Sequence, residues 1–229
     1  MKILGSLLLI FTLLITTNTP ASAQNEGRWY NVEIVIFKRV DGAQQTRENW
    51  RKDIALTYPE FYRYLSSSSG ENFGRLEQKD FLLGSYDYTL RRDENYQILF
   101  HQAWTQQMQN EAESPGIIVE GGKTINQRPE LSGHIKIHIG RYLHLTTDLW
   151  LSHFAPDSIA ADWPVPPASP SSDNRSGLAG ELLINSGSSS PIATMRERRR
   201  MRSNELHYID HPLMGLLILI TPLDKSSAS

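Results

Sequence analysis

The residue types that could do chemistry here are mostly cationic. Five arginines, Arg196, Arg198, Arg199, Arg200 and Arg202, fall within seven positions. Guanidinium forks bind carboxylates and phosphates bidentately. The plainer role for such a run is a solvated strand face whose charges discourage edge pairing. Histidines supply a second set. His134 and His138 are four apart, a spacing that clamps an ion on a helix, but on a strand four residues span ~13 Å and the two cannot share one. His207 and His211 flank Asp210, and no third ligand accompanies any pair, so no metal site or cofactor is expected. Ser203, His207 and Asp210 lie close in sequence, yet Ser203 falls at a predicted turn and no oxyanion donor is identifiable. Gly-x-Ser-x-Gly, His-Glu-x-x-His and the Ser-x-x-Lys/Lys-Thr-Gly pair are absent. No carboxylate pair of the kind a glycosidase needs is recognisable. The expectation is a binding protein without catalytic residues. Trp150 and Trp163 are the tryptophans expected to be exposed and able to stack on sugar rings, while Trp29 and Trp104 read as packing residues.

The elements that would position these groups begin after an apolar leader. Lys2, the run Ile3 to Ile15 and Ala21-Ser22-Ala23 have the charged, apolar and small-x-small order of a secretory signal peptide, with cleavage expected after Ala23. Residues 24–229 are then expected to form a single exported, periplasmic domain with no transmembrane segment. The chain has no cysteine, which excludes a disulfide scaffold, a thiol enzyme and a lipid-modified N-terminal cysteine. A net charge of −2 provides no global attraction to nucleic acid or anionic lipid, and no nucleic-acid partner is expected.

Trp29 to Arg39 reads as a strand with Tyr30, Val32, Ile34 and Ile36 on one face and Asn31, Glu33, Val35 and Phe37 on the other. One helical turn is expected over 61–65, a helix near 85–93, and a second strand over 96–106. Residues 108–132 read as a Gly- and Glu-rich connection with a short strand near 117–120. In 133–151 the aliphatics Ile135, Ile137, Ile139, Leu143, Leu145, Leu149 and Leu151 all fall at odd positions, while His134, Lys136, His138, His144, Thr146 and Asp148 are even. That parity fits either a hairpin closed by Gly140 to Tyr142 or one long strand bent at Gly140. Residues 155–190 are a Pro/Ser/Gly-rich insertion with a strand fragment near 182–184. A turn at Ser203-Asn204 predicts a hairpin that opposes Arg202 to Glu205, Met201 to Leu206, Arg200 to His207 and Arg199 to Tyr208. Leu213 to Thr221 reads as a central strand buried on both faces. The fold class is α+β, mainly antiparallel β-sheet with one or two short helices.

Several of these segments together resemble one family. RWYNVEIVIFKR follows the leader, then come Glu48-Asn49-Trp50, YQILFHQAW, GRYLHL at 140–145 and MRSNELHYIDHPLMGLLILITP at 201–222. The chain resembles the CsiV family of periplasmic peptidoglycan-binding proteins, most specifically through RYLHL at 141–145 and ELHYIDHP at 205–212. The resemblance covers the mature chain except the 155–190 insertion. It implies a non-enzymatic wall protein that binds peptidoglycan and assists the outer-membrane lipoprotein activator of a class A penicillin-binding protein. An adaptor that meets its protein partner without touching the wall is the alternative. The residues expected to bind, assigned from the polar faces rather than from the family, are Arg141, His144, Arg200, Arg202, Glu205 and His207.

Overall fold

The computed structural model describes residues 27–40, 55–65, 72–125, 128–152, 182–183 and 192–223. The predicted leader, Glu48-Asn49-Trp50, Trp163 and most of the 155–190 insertion lie outside these residues. In chain order the strands are β1 (Trp29–Arg39), β2 (Ala55–Leu56), β3 (Tyr62–Arg63) and β4 (Phe73–Arg75), then helix α1 (Gly84–Arg92). They continue with β5 (Tyr96–Gln107), β6 (Gly116–Ile118), β7 (Gly121–Ile125), β8 (Arg128–Ile139), β9 (Leu143–Ser152) and β10 (Leu182–Leu183). The last three are β11 (Ile192–Met201), β12 (Leu206–Asp210) and β13 (Met214–Pro222).

Two sheets carry the fold. One has the order β12-β13-β1-β5-β4, and the other β11-β9-β8-β6-β3, with β7 also paired to β8. All pairings are antiparallel except β3 with β6. The expected α+β class, mainly antiparallel sheet, is what the chain adopts. Period-two alternation explains the packing: Val32, Ile34 and Ile36 of β1 and Ile218 and Ile220 of β13 meet Ile135, Ile137, Leu145 and Leu149 of the other sheet in one shared apolar cluster. The predicted β13 is an interior strand, flanked by β1 and β12, but β1 is the middle strand of the five, and Leu217 and Leu219 leave one face of β13 only half-buried.

The far face of β1 is not solvated. Glu33 is buried there and its carboxylate accepts the backbone N–H groups of Leu82 and Leu83, 2.6 and 3.0 Å away, at the start of α1. Those amides have no intrahelical acceptor, so a carboxylate at this end satisfies them and complements the helix dipole. His101 of β5 sits between two acids, Nε2 2.7 Å from Glu33 Oε1 and Nδ1 3.0 Å from Asp87 Oδ1. Asp87 also pairs with Arg91 one turn on, at 2.7 Å. Further along the same face Phe37 packs edge-on to Tyr96 and stacked over Tyr208. Gly215 makes room for that ring, since a Cβ there would lie 2.3 Å from Phe37 Cζ.

Several expectations are corrected. The hairpin joining 199–202 to 205–208 does not form. Arg199, Arg200 and Met201 pair instead with Leu145, His144 and Leu143 of β9. Leu206, His207 and Tyr208 pair with Leu219, Ile218 and Leu217 of β13. The turn is real, with Asn204 at φ 61°, but it carries the chain from one sheet to the other. A tighter closure wins β12: His211 and Met214 exchange both backbone hydrogen bonds across Pro212-Leu213. In consequence Leu206 and Tyr208 are exposed rather than apolar-facing, and Ile209 is the buried residue of β12. The helical turn expected at 61–65 is absent, because Tyr62 and Arg63 take extended geometry as the parallel partner of β6. The connection expected over 108–132 holds β7 and the first half of β8. Its glycines read as loop signals, but a Cβ on Gly121 of β7 would lie 2.1 Å from the Leu99 backbone oxygen of β5, so here glycine permits close approach of neighbouring strands.

Replacing His101 by Leu should leave the buried Glu33 carboxylate and the half-buried Asp87 facing an apolar group, at a cost of about 3 kcal/mol. Urea denaturation should register that loss, and hydrogen exchange should show residues 84–92 deprotected first. A change under about 1 kcal/mol would mean that apolar packing alone docks the helix.

Candidate functional site

The parity of residues 133–151 resolves as a hairpin. Ile139 opposes Leu143, leaving a three-residue loop, Gly140 to Tyr142. Directly opposed residues share a face, so the register builds three rows on the side of the sheet away from the core. His138, His144 and Arg200 form one row, Lys136, Thr146 and Arg198 the next, and His134, Asp148 and Arg196 the third. The odd positions of β8 and β9 point into the apolar cluster.

Most charges on this face are paired internally. Arg196 Nε lies 3.0 Å from Asp148 Oδ1. Arg198 lies 2.7 Å from Glu111 Oε2, and Lys136 Nζ donates to the Glu111 backbone oxygen at 3.2 Å. Burial alone would push the Glu111 carboxyl up, but His138, Arg198 and Lys136 outweigh it and hold the group below its ordinary range. The loop end differs. The Arg200 guanidinium lies 4.6 Å from the centre of the Tyr142 ring, and that of Arg141 5.6 Å. Both are within cation–π range. Tyr142 itself is exposed.

The histidines face the other way chemically. His138 and His144 stack, rings 5.1 Å apart and 12° from parallel. Burial pushes the His138 imidazole below its ordinary pKa, with Arg198, Lys136 and His144 adding repulsion against the attraction of Glu111. His134 is lowered too, again chiefly by burial, and its Nδ1 and that of His138 have no hydrogen-bond partner among the described residues. A charged ring would be costlier there than a neutral one. His134 and His138 lie two rows apart on one strand, and among the described residues no group of three candidate metal ligands occurs.

Of the six residues expected to bind, Arg141, His144 and Arg200 come together at the loop end. Arg202, Glu205 and His207 cluster in the crossover instead: Arg202 meets Glu205 at 3.5 Å, and the His207 ring nitrogen is 3.1 Å from the Arg202 carbonyl oxygen. His207 opposes Ile218 in the other sheet, so it is not on the arginine face. Asp210 binds Arg39 at 2.7 Å and accepts the Tyr208 hydroxyl proton at 2.6 Å, which leaves Ser203, His207 and Asp210 without a common geometry. Trp150, expected to be exposed, is fully buried. It packs edge-on to Tyr58, at 4.9 Å, in a second cluster with Leu56 and Ile118 that covers the far end of the face. Parity placed Trp150 on the outer side correctly, but residues 56–58 fold over it. Tyr142 was missed. An aromatic at the tip of a three-residue hairpin, beside Arg141, was the available signal.

A family model described as "Peptidoglycan-binding protein, CsiV" matches residues 3–223, nearly the whole chain. The chain belongs to the CsiV family. Comparison with curated proteins and with solved structures returned no match. The two segments that carried the resemblance to CsiV proteins now have places. RYLHL at 141–145 forms the loop and the first residues of β9, and ELHYIDHP at 205–212 forms β12 and its closing turn. The CsiV description is of a peptidoglycan-binding protein.

A histidine whose pKa is lowered by folding binds fewer protons folded than unfolded below pH ~6.5, so its contribution to stability is complete above that value and falls with acidification. Stability should therefore drop between pH 7.5 and pH 5.5. Chemical denaturation at the two pH values should show the drop, and replacing His134 and His138 together by Gln should reduce it. An undiminished pH dependence in that variant would place its origin elsewhere.

Proposed function

We propose that the protein is a non-catalytic periplasmic module that binds peptidoglycan through the outer face of β8, β9 and β11, and that it supports wall synthesis by assisting the lipoprotein activator of a class A penicillin-binding protein. Family membership over residues 3–223 carries this reading. The apolar leader, Ile3 to Ile15 followed by Ala21-Ser22-Ala23, supports export by a cleavable signal peptide. No helix among the described residues is long and apolar enough to cross a membrane. Residues 24–229 fold as one domain in this reading, since both sheets share a single apolar cluster.

Geometry favours the arginine face as the contact surface. Its β11 edge and loop tip bear exposed arginines and an exposed tyrosine, the kind of residues that dominate binding energy at interfaces. Arg141, His144 and Arg200 are the core of the proposed site, with Tyr142 added to them. Arg202, Glu205 and His207 are proposed as its rim, at the crossover that leaves β11. The Arg202–Glu205 pair and the engagement of His207 with backbone reduce what these three offer a ligand.

Purified residues 24–229 should co-sediment with protein-free sacculi and release no soluble muropeptides. Release of fragments would make the protein a hydrolase. Failure to sediment, together with capture of the lipoprotein activator, would favour the adaptor reading.

A further inference from the structure

The arginines on and around β9 and β11 are not equivalent. Arg196, Arg198, Arg199 and Arg202 each hold a carboxylate of the protein itself, on Asp148, Glu111, Glu197 and Glu205. Arg141 and Arg200 have no carboxylate partner among the described residues. They are instead brought together by one ring, with guanidinium carbons 5.6 and 4.6 Å from the centre of Tyr142. Stacking on an aromatic face leaves the N–H edges of a guanidinium available and restricts its rotation, so less freedom is lost when it takes a ligand. The chain as a whole carries a net charge of −2, so this excess of positive charge is local. His144 pairs with Arg200 across the ladder, beside the same opening.

We propose that Arg141 and Arg200, held by Tyr142, form a carboxylate-binding clamp that directs the protein to the free carboxylates of peptidoglycan stem peptides rather than to the glycan strand. This rests on the reading of the arginine face as the wall-binding surface. The chemistry follows from the groups present. A planar fork matches a planar carboxylate with two parallel N–H···O bonds. Sugar hydroxyls and acetamides are neutral and draw no such charge-assisted pair. The clamp therefore reads the charge state of the stem peptide: an amidated carboxylate cannot be held in this way.

Sacculi whose free carboxylates have been converted to amides provide the test, beside untreated sacculi and vesicles containing phosphatidylglycerol. Amidation also weakens any general attraction of the arginine-bearing face, so the clamp is separated from it by whether R141Q and R200Q abolish the discrimination. The wild-type protein should bind untreated sacculi at least about tenfold more tightly than amidated ones, as expected for loss of one or two charge-assisted hydrogen bonds. R141Q and R200Q should each lose about tenfold on untreated sacculi and gain little or no further loss on amidation. Thermal unfolding should show both variants folded, since the side chains are exposed. Equal binding of the wild type to both kinds of sacculi would overturn the clamp while leaving wall binding intact. Binding to neither would overturn the proposed function itself. Arginine-dependent binding to the vesicles with none to sacculi would replace the carboxylate by a phosphate and overturn the proposal.

Discussion

The register of the β8–β9 hairpin is the constraint on which the rest depends. Because a three-residue loop sets Ile139 opposite Leu143, every odd residue of both strands faces the core and every even one faces outward. A slip of one residue would put histidines, Lys136 and Asp148 into the core and leave Ile135, Ile137, Leu145 and Leu149 in water. Burial of those aliphatics, worth ~2 kcal/mol or more each, holds the register. The same register delivers His144 to Arg200 and Asp148 to Arg196 once β11 joins, and it puts Tyr142 at the tip where two arginines converge on it.

The two faces of the molecule are built by different physics. Behind β1 a polar cluster does the docking: a buried Glu33 meets the helix amides and His101 bridges it to Asp87. Glu33, His101 and Asp87 satisfy one another and the helix amides internally. On the outer face of β8, β9 and β11 the charges are satisfied only up to the loop end. The local surplus at Arg141 and Arg200, not the number of arginines in the run, is what sets that end apart.

Much of this was legible in sequence, and what was not failed for definite reasons. β1, β5 and α1 followed from the local periodicity of aliphatic and aromatic residues, and β13 from its continuous apolar run. The parity of 133–151 gave the two faces, although the choice between hairpin and bent strand required the partner strand. The partner of β11 was not encoded locally. The turn at Ser203-Asn204 offered β12, yet the register with β9 and the closure at Pro212-Leu213 took both strands elsewhere. Trp150 was placed on the right face and the wrong side of the surface, because Leu56 and Tyr58, distant in sequence, cover it. Arg141, His144 and Arg200 come together as grouped in sequence, because each follows from strand parity or loop position. Arg202, Glu205 and His207 were grouped with them only through a hairpin that does not form.

The central claim is that the wall is met by the outer face of β8, β9 and β11. The most direct measurement is backbone and arginine side-chain NMR of residues 24–229 titrated with a soluble disaccharide-tetrapeptide muropeptide. Shifts should concentrate at residues 141–144 and at the Arg141 and Arg200 side chains, with residues 84–92 and Glu33 unmoved. Shifts concentrated instead around α1 and the exposed Tyr86 and Tyr88, with the 141–144 loop unchanged, would contradict it.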